Sequence, residues 1–139
     1  MLNLVVVYGS LYVGGSLTLH LSRLETVAIV GQSSEVEEAV QMISSKRPHI
    51  VILDFELKGG LGLKVLQRTK QLEFPPVVIM TASSSYQQYR RQCLREGADF
   101  YFELPDEIEG MVKNLSDLAS IFATAGVNMK SEIEKLKKK

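Results

Sequence analysis

The chain has 139 residues, enough for one ordinary core and too few for two. Its 16 Lys and Arg are matched by 16 Asp and Glu, and 45% of residues are hydrophobic, which excludes both a basic nucleic-acid binder and a disordered chain. A single cysteine, Cys93, excludes an internal disulfide, and with only two histidines, His20 and His49, it excludes a Cys/His zinc centre.

The first apolar run, Leu4–Val7, predicts a strand. Nothing basic precedes it and no small-residue cleavage site follows, so it is not read as a secretory signal. Tyr8 to Gly15, YGSLYVGG, is expected to be an open loop. A Gly inside a helix costs about 1 kcal/mol relative to Ala, and Ser16 is the better N-cap. The first helix is therefore placed over Ser16–Arg23, with Leu17 and Leu21 on one face and Leu24 continuing it. Val27–Val30 predicts the second strand. The second helix opens at Ser34-Glu35-Val36-Glu37, spaced as a capping box, and puts Val36, Ala39, Val40 and Ile43 on one face. It stops before Pro48, which disfavours helical backbone at Arg47.

Ile50–Leu53 predicts the third strand, and Leu61–Leu72 a helix that ends ahead of Pro75-Pro76. Val77–Met80 predicts the fourth strand, and Ser84 to Glu96 the fourth helix, closed by Gly97 as a left-handed C-cap. Phe100–Phe102 predicts the fifth strand. The fifth helix, from Asp106, carries Ile108, Met111, Val112, Leu115, Leu118 and Phe122 at three- and four-residue steps.

Strand and helix thus alternate five times, an α/β pattern that gives a single doubly wound (βα)5 parallel sheet with right-handed crossovers. The strands read as continuous apolar runs, as strands covered by helices on both faces require. Sites in such sheets lie beyond the carboxyl ends of the strands, here Tyr8-Gly9-Ser10, Asp54, Thr81-Ala82 and Leu104-Pro105. Residues 125–139 form a basic extension whose last ten residues, KSEIEKLKKK, hold five Lys and two Glu. Met129, Ile133 and Leu136 repeat too briefly there for a coiled coil, so a helical extension or a solvated, fraying tail is expected. No apolar run approaches the roughly 18 residues of a membrane span, and a cytoplasmic location is expected.

Three segments carry a resemblance. VILDFELKGGLGLKVL, PPVVIMTAS and REGADFYFELP, in that order, resemble the receiver domain of bacterial two-component response regulators. The resemblance covers about residues 3–120, within a receiver-like unit of residues 1–124. It implies the flavodoxin-like strand order 2-1-3-4-5. It also implies that Asp54 holds the phospho-acceptor position, Thr81 the hydroxyl switch, Tyr101 the switch aromatic and Pro105 the proline after the fifth strand. The separations, 27 residues from Asp54 to Thr81 and 20 from Thr81 to Tyr101, suit the family.

The family's chemistry uses two acids after the first strand, the acceptor Asp and a backbone carbonyl to hold Mg²⁺, with a Lys before the proline. Here Tyr8-Gly9 stands in place of the acids and Leu104 in place of the Lys, while Glu56 lies two residues beyond Asp54. Each close like-charge contact costs about 1 to 4 kcal/mol, so phosphorylation of Asp54 without metal or Lys is expected to be weak or absent. If any metal binds, Asp54 and Glu56 are its ligands; otherwise no cofactor is implied.

Plainer readings stand beside these. Asp54 also suits a strand-end residue satisfied by Thr81 or nearby N–H groups, Tyr101 an aromatic packed at the sheet edge, and Cys93 a small packed residue. Tyr86, Tyr89 and Tyr101 are candidates for an aromatic surface near the fourth helix. The resemblance implies that the face made by the fourth helix, fifth strand and fifth helix docks a histidine kinase or other signalling protein, or a second copy. The expected function is a stand-alone atypical receiver-like domain that is not an enzyme. It signals through protein contacts independently of phosphorylation, with no nucleic-acid or membrane partner. The rivals are an active acceptor with a site rebuilt around Asp54 and Glu56, and a flavodoxin-like ligand or FMN binder using the YGSLYVGG loop.

Overall fold

The chain runs β1 (Leu2–Val7), α1 (Leu11–Ser22), β2 (Val27–Ser33), α2 (Val36–Lys46) and β3 (Ile50–Asp54), then a short antiparallel ladder of β4 (Glu56–Leu57) with β5 (Gly60–Leu61). It continues through α3 (Gly62–Lys70), β6 (Val77–Ala82), α4 (Gln87–Arg95), β7 (Phe100–Glu103) and α5 (Ile108–Thr124). A 3-10 turn at Gly126–Asn128 leads into α6 (Met129–Lys137). The computed structural model describes residues 1–9, 11–57, 60–83, 87–124 and 126–138.

The five principal strands are all parallel, in the order β2-β1-β3-β6-β7, which is the expected 2-1-3-4-5. Both faces are covered, so successive side chains enter two different cores. Val5, Val51, Leu53, Val78 and Met80 meet α2, α3 and α4 on one side. Leu4, Val6, Ile50, Ile52 and Ile79 meet α1, α5 and α6 on the other. Each fully buried aliphatic side chain contributes roughly 1.5 to 3 kcal/mol, and the central strand β3 has four in a row, Ile50 to Leu53, at 0% exposure.

Three local expectations are corrected. Helix α1 starts at Leu11 rather than Ser16, so most of the expected YGSLYVGG loop is helical; Ser10 lies outside the described residues. Burial of Leu17 and Leu21 against the sheet outweighs the roughly 1 kcal/mol that each internal Gly costs. The capping box does not form, because β2 runs on to Ser33 and the N-cap falls on Glu35, with no side-chain cap bond. The Ser33 hydroxyl instead accepts the Glu35 N–H at 3.2 Å. Helix α2 does stop before Pro48, with Arg47 in the left-handed region at φ 48°. Ser84 to Tyr86, expected to open the fourth helix, lie outside the described residues.

The third concerns the basic C-terminus, where of the two expectations the helical extension forms, as α6, and docks instead of fraying. Ile133 is buried, Met129 and Leu136 pack beside it, and the Lys137 ammonium lies 2.8 Å from Asp99. Among the described residues, no helix is long and apolar enough to cross a membrane.

Candidate functional site

Strand β3 delivers Asp54 to the carboxyl end of the sheet, in register with Thr81 on β6. The next residue leaves the strand with its N–H still donating to the sheet, from Phe55 to Thr81 O at 2.8 Å. The β4–β5 ladder then carries the chain out and back, and Gly62 N–H donates to Phe55 O at 2.6 Å. Two glycines close on this segment. A Cβ on Gly62 would overlap the carbonyl of Asp54, and a Cβ on Gly9 would overlap the carbonyl of Glu56. Backbone therefore packs on backbone on both sides of the Asp54–Glu56 stretch.

The Asp54 carboxylate accepts the Gly9 N–H at 3.2 Å through Oδ2. Burial pushes its pKa above the ordinary carboxylate value; the N–H groups of Gly9, Glu56 and Phe55 pull it down without cancelling that, and the Glu56 charge adds to the rise. A raised acid in the folded state means that folding costs more once Asp54 must ionise. Asp54→Asn is thus expected to raise the melting temperature at neutral pH, with the gain shrinking as pH falls through the raised folded value of Asp54 and it takes up its proton. Thermal unfolding against pH checks this. An unchanged or lower midpoint at neutral pH would mean that the backbone N–H groups facing the carboxylate outweigh its burial.

The groups standing in for the family's charges turn elsewhere. The half-buried Tyr8 directs its hydroxyl to Gln32 Oε1 on β2, at 3.4 Å. Leu104 is buried ahead of a cis bond to Pro105, and the Glu56 side chain is exposed. The residues present do not fit Mg²⁺. The Glu56 carbonyl, at the position where the family's metal takes a backbone oxygen, faces the Cα of Gly9, and Asp54 already accepts the Gly9 N–H. Among the described residues, no cluster of three or more His, Cys, Asp or Glu could hold a metal.

Tyr101 is 4% exposed, packed with Cys93 and Met80 rather than forming an aromatic surface. Its hydroxyl has no hydrogen-bond partner among the described residues, and burial pushes it up to about 12. The Arg90 guanidinium sits 4.7 Å from the ring centroid and also holds Glu107 at 3.0 Å. Arg90 donates to Tyr101 O at 3.4 Å, and Glu107 accepts the Glu103 N–H at 2.8 Å. These two side chains thereby cover polar groups along the free edge of β7.

Tyr89 is half-buried, its ring stacked on Phe55 at 4.3 Å and 18°. Helix α4 is therefore tied to the loop after Asp54 by Tyr89 and to the β7–α5 corner by Arg90. Neither tie is visible in the sequence, where Arg90 and Glu107 are charges 17 residues apart on different elements. Tyr86 lies outside the described residues.

Comparison with known proteins matches this architecture. Residues 16–116 match the family model of the response regulator receiver domain. The chain is 30% identical over 115 residues to the sensory transduction protein LytT of Bacillus cereus, covering 83% of this chain and 46% of that protein. It is 24% identical over 100 residues to the nitrate/nitrite response regulator protein NarL of Escherichia coli, covering 72% and 46%. The chain thus spans about half the length of the curated relatives it matches. The signal receiver domain of NarL from Mycobacterium tuberculosis has a TM-score of 0.78 at 22% identity, over 86% of this chain and 96% of that one. A chain of the CheX–CheY–BeF3–Mg²⁺ complex from Borrelia burgdorferi reaches 0.74 at 22% identity, over 82% and 86%. With the family match spanning most of its length, the chain belongs to the response regulator receiver domains of two-component signal transduction.

Proposed function

We propose that this receiver signals by protein contact through the α4–β7–α5 face and does not depend on a phosphoryl group at Asp54. The packing of Gly9 against the Glu56 carbonyl carries the reading, because it leaves no room at that position for the acid side chain that the family's cation site uses. Leu104 supports it, since no ammonium stands there to meet phosphoryl oxygens. Two added negative charges beside the half-buried Asp54 carboxylate would meet no neutralising cation among the described residues, and a missing cation in phosphoryl transfer costs orders of magnitude in rate. The Arg90–Glu107 bridge and the buried Tyr101 hold the face in one arrangement, suited to a cytoplasmic signalling partner that reads a fixed surface.

The test is an amide NMR titration with Mg²⁺ and then beryllofluoride, the ligand named with Mg²⁺ in the Borrelia complex. Unmoved resonances at Asp54, Thr81 and Tyr101 are expected at millimolar concentrations. Saturable, Mg²⁺-dependent shifts at those residues would overturn the reading in favour of an acceptor fed by a histidine kinase.

A further inference from the structure

At the end of the sheet opposite Asp54, the segment linking α3 to β6 carries Phe74, whose side chain is among the most exposed large apolar groups described, at 79%. Pro75 and Pro76 follow it. They fix their own backbone angles and bias Phe74 to extended backbone, so the ring is presented on a stiff support that loses little freedom when covered. Phe74 stands between two concavities. One, of about 390 Å³, lies against Ile43 and Leu72. The other, of about 630 Å³, is floored by Pro48, Phe122, Met129 and Ile133, and exists because α6 docks beside it.

The charges around the larger groove divide in two. Lys70 and Lys137 are already neutralised by Asp99, and Glu134 by Lys137. Glu73, beside Phe74, and Lys130, on α6, line the same groove from its two walls and are exposed, with no ion pair among the described residues. One face thus bears a projecting ring and a groove able to receive one, with one uncommitted charge of each sign. A two-fold axis uses all of it, because an isologous contact must be complementary to itself.

We propose that this face is a two-fold interface between copies of the chain, each Phe74 seated in the other copy's larger groove and each Glu73 paired with the other copy's Lys130. The contact is separate from the α4–β7–α5 face and does not depend on whether Asp54 accepts phosphate.

Sedimentation equilibrium of the full chain, from micromolar to submillimolar concentration, tests it. The wild type self-associates to a dimer, and Phe74→Glu is monomeric with an unchanged circular dichroism spectrum, because an exposed ring contributes little to the fold. Glu73→Lys and Lys130→Glu each weaken the dimer by about tenfold, and the double exchange restores it. A monomeric wild type would overturn the proposal. So would a dimer indifferent to Phe74→Glu, or one lost on Arg91→Glu in α4 instead. Failure of the double exchange to recover association would overturn the assigned pairing.

Discussion

Gly9→Ala lowers the unfolding free energy by about 3 kcal/mol in urea denaturation, and Gly9→Asp lowers it at least as far. The expected loss follows from where the new atom must go. A Cβ at Gly9 overlaps the carbonyl oxygen and carbon of Glu56, which are backbone and cannot rotate away as a flexible side chain would. Relief requires moving the β1–α1 connection, and with it the Gly9 N–H that donates to Asp54, or moving the Glu56 carbonyl, in a stretch whose Asp54 carbonyl is already packed against Gly62. Gly9→Asp also restores an acid at the position where the family carries one. If that acid rebuilt a cation site, millimolar Mg²⁺ would raise the stability of Gly9→Asp above that of Gly9→Ala. The geometry predicts that Mg²⁺ leaves both variants equally destabilised, so the comparison separates a blocked site from one that merely lacks a charge.

Asp99→Ala is expected to cost about 3 kcal/mol, because it strips the partner from several groups at once. Through Oδ2 the carboxylate accepts the Lys70 ammonium at 2.7 Å and the Val78 N–H at 2.8 Å, and through Oδ1 it holds Lys137 at 2.8 Å. Its side chain is only 12% exposed. Asp99→Asn keeps an acceptor for Val78 and is expected to cost about half as much, the remainder being the two lost charge pairs.

Both variants loosen α6, since Lys137 is its charged tie to the sheet, and faster hydrogen exchange of the Met129–Lys137 amides reads that directly. The pH signature is opposite to that of Asp54. Burial pushes Asp99 upward, but Lys70, Lys137 and the Val78 N–H outweigh it and hold the acid below its ordinary value. Its contribution is therefore present above about pH 4 and lost as pH falls through the depressed folded value. Acid titration of wild type against Asp99→Asn should show their difference closing in that range. A difference that persists into strong acid would assign the loss to packing instead of charge.

The strands were legible because burial on both faces writes itself locally, as short runs of β-branched residues that need no knowledge of their neighbours. The same local logic misled at β2. Its apolar run ends at Val30, but pairing with β1 continues through Ser33, and that extension removed the capping box from its place. The glycines of α1 misled for a related reason: helix propensity is worth about 1 kcal/mol per residue, and the burial of Leu17 and Leu21 against the sheet exceeds it.

By itself the sequence determined the alternation of strands and helices and hence the parallel sheet. Its motif order also put Asp54 and Thr81 at the carboxyl ends of adjacent strands, as the register bears out. Only the tertiary structure decided what surrounds them. Gly9 reads in the chain as a missing acid, and becomes a close backbone contact only because the loop after β3 returns the Glu56 carbonyl to it. The Lys-rich end reads as either a helical extension or a solvated tail, and becomes a docked helix only because Asp99, 38 residues before Lys137, is held by the sheet where α6 arrives. Periodicity and propensity act over a few residues and are written in local order. Contacts between segments far apart in the chain depend on the path of the backbone in space, which the folded molecule alone defines.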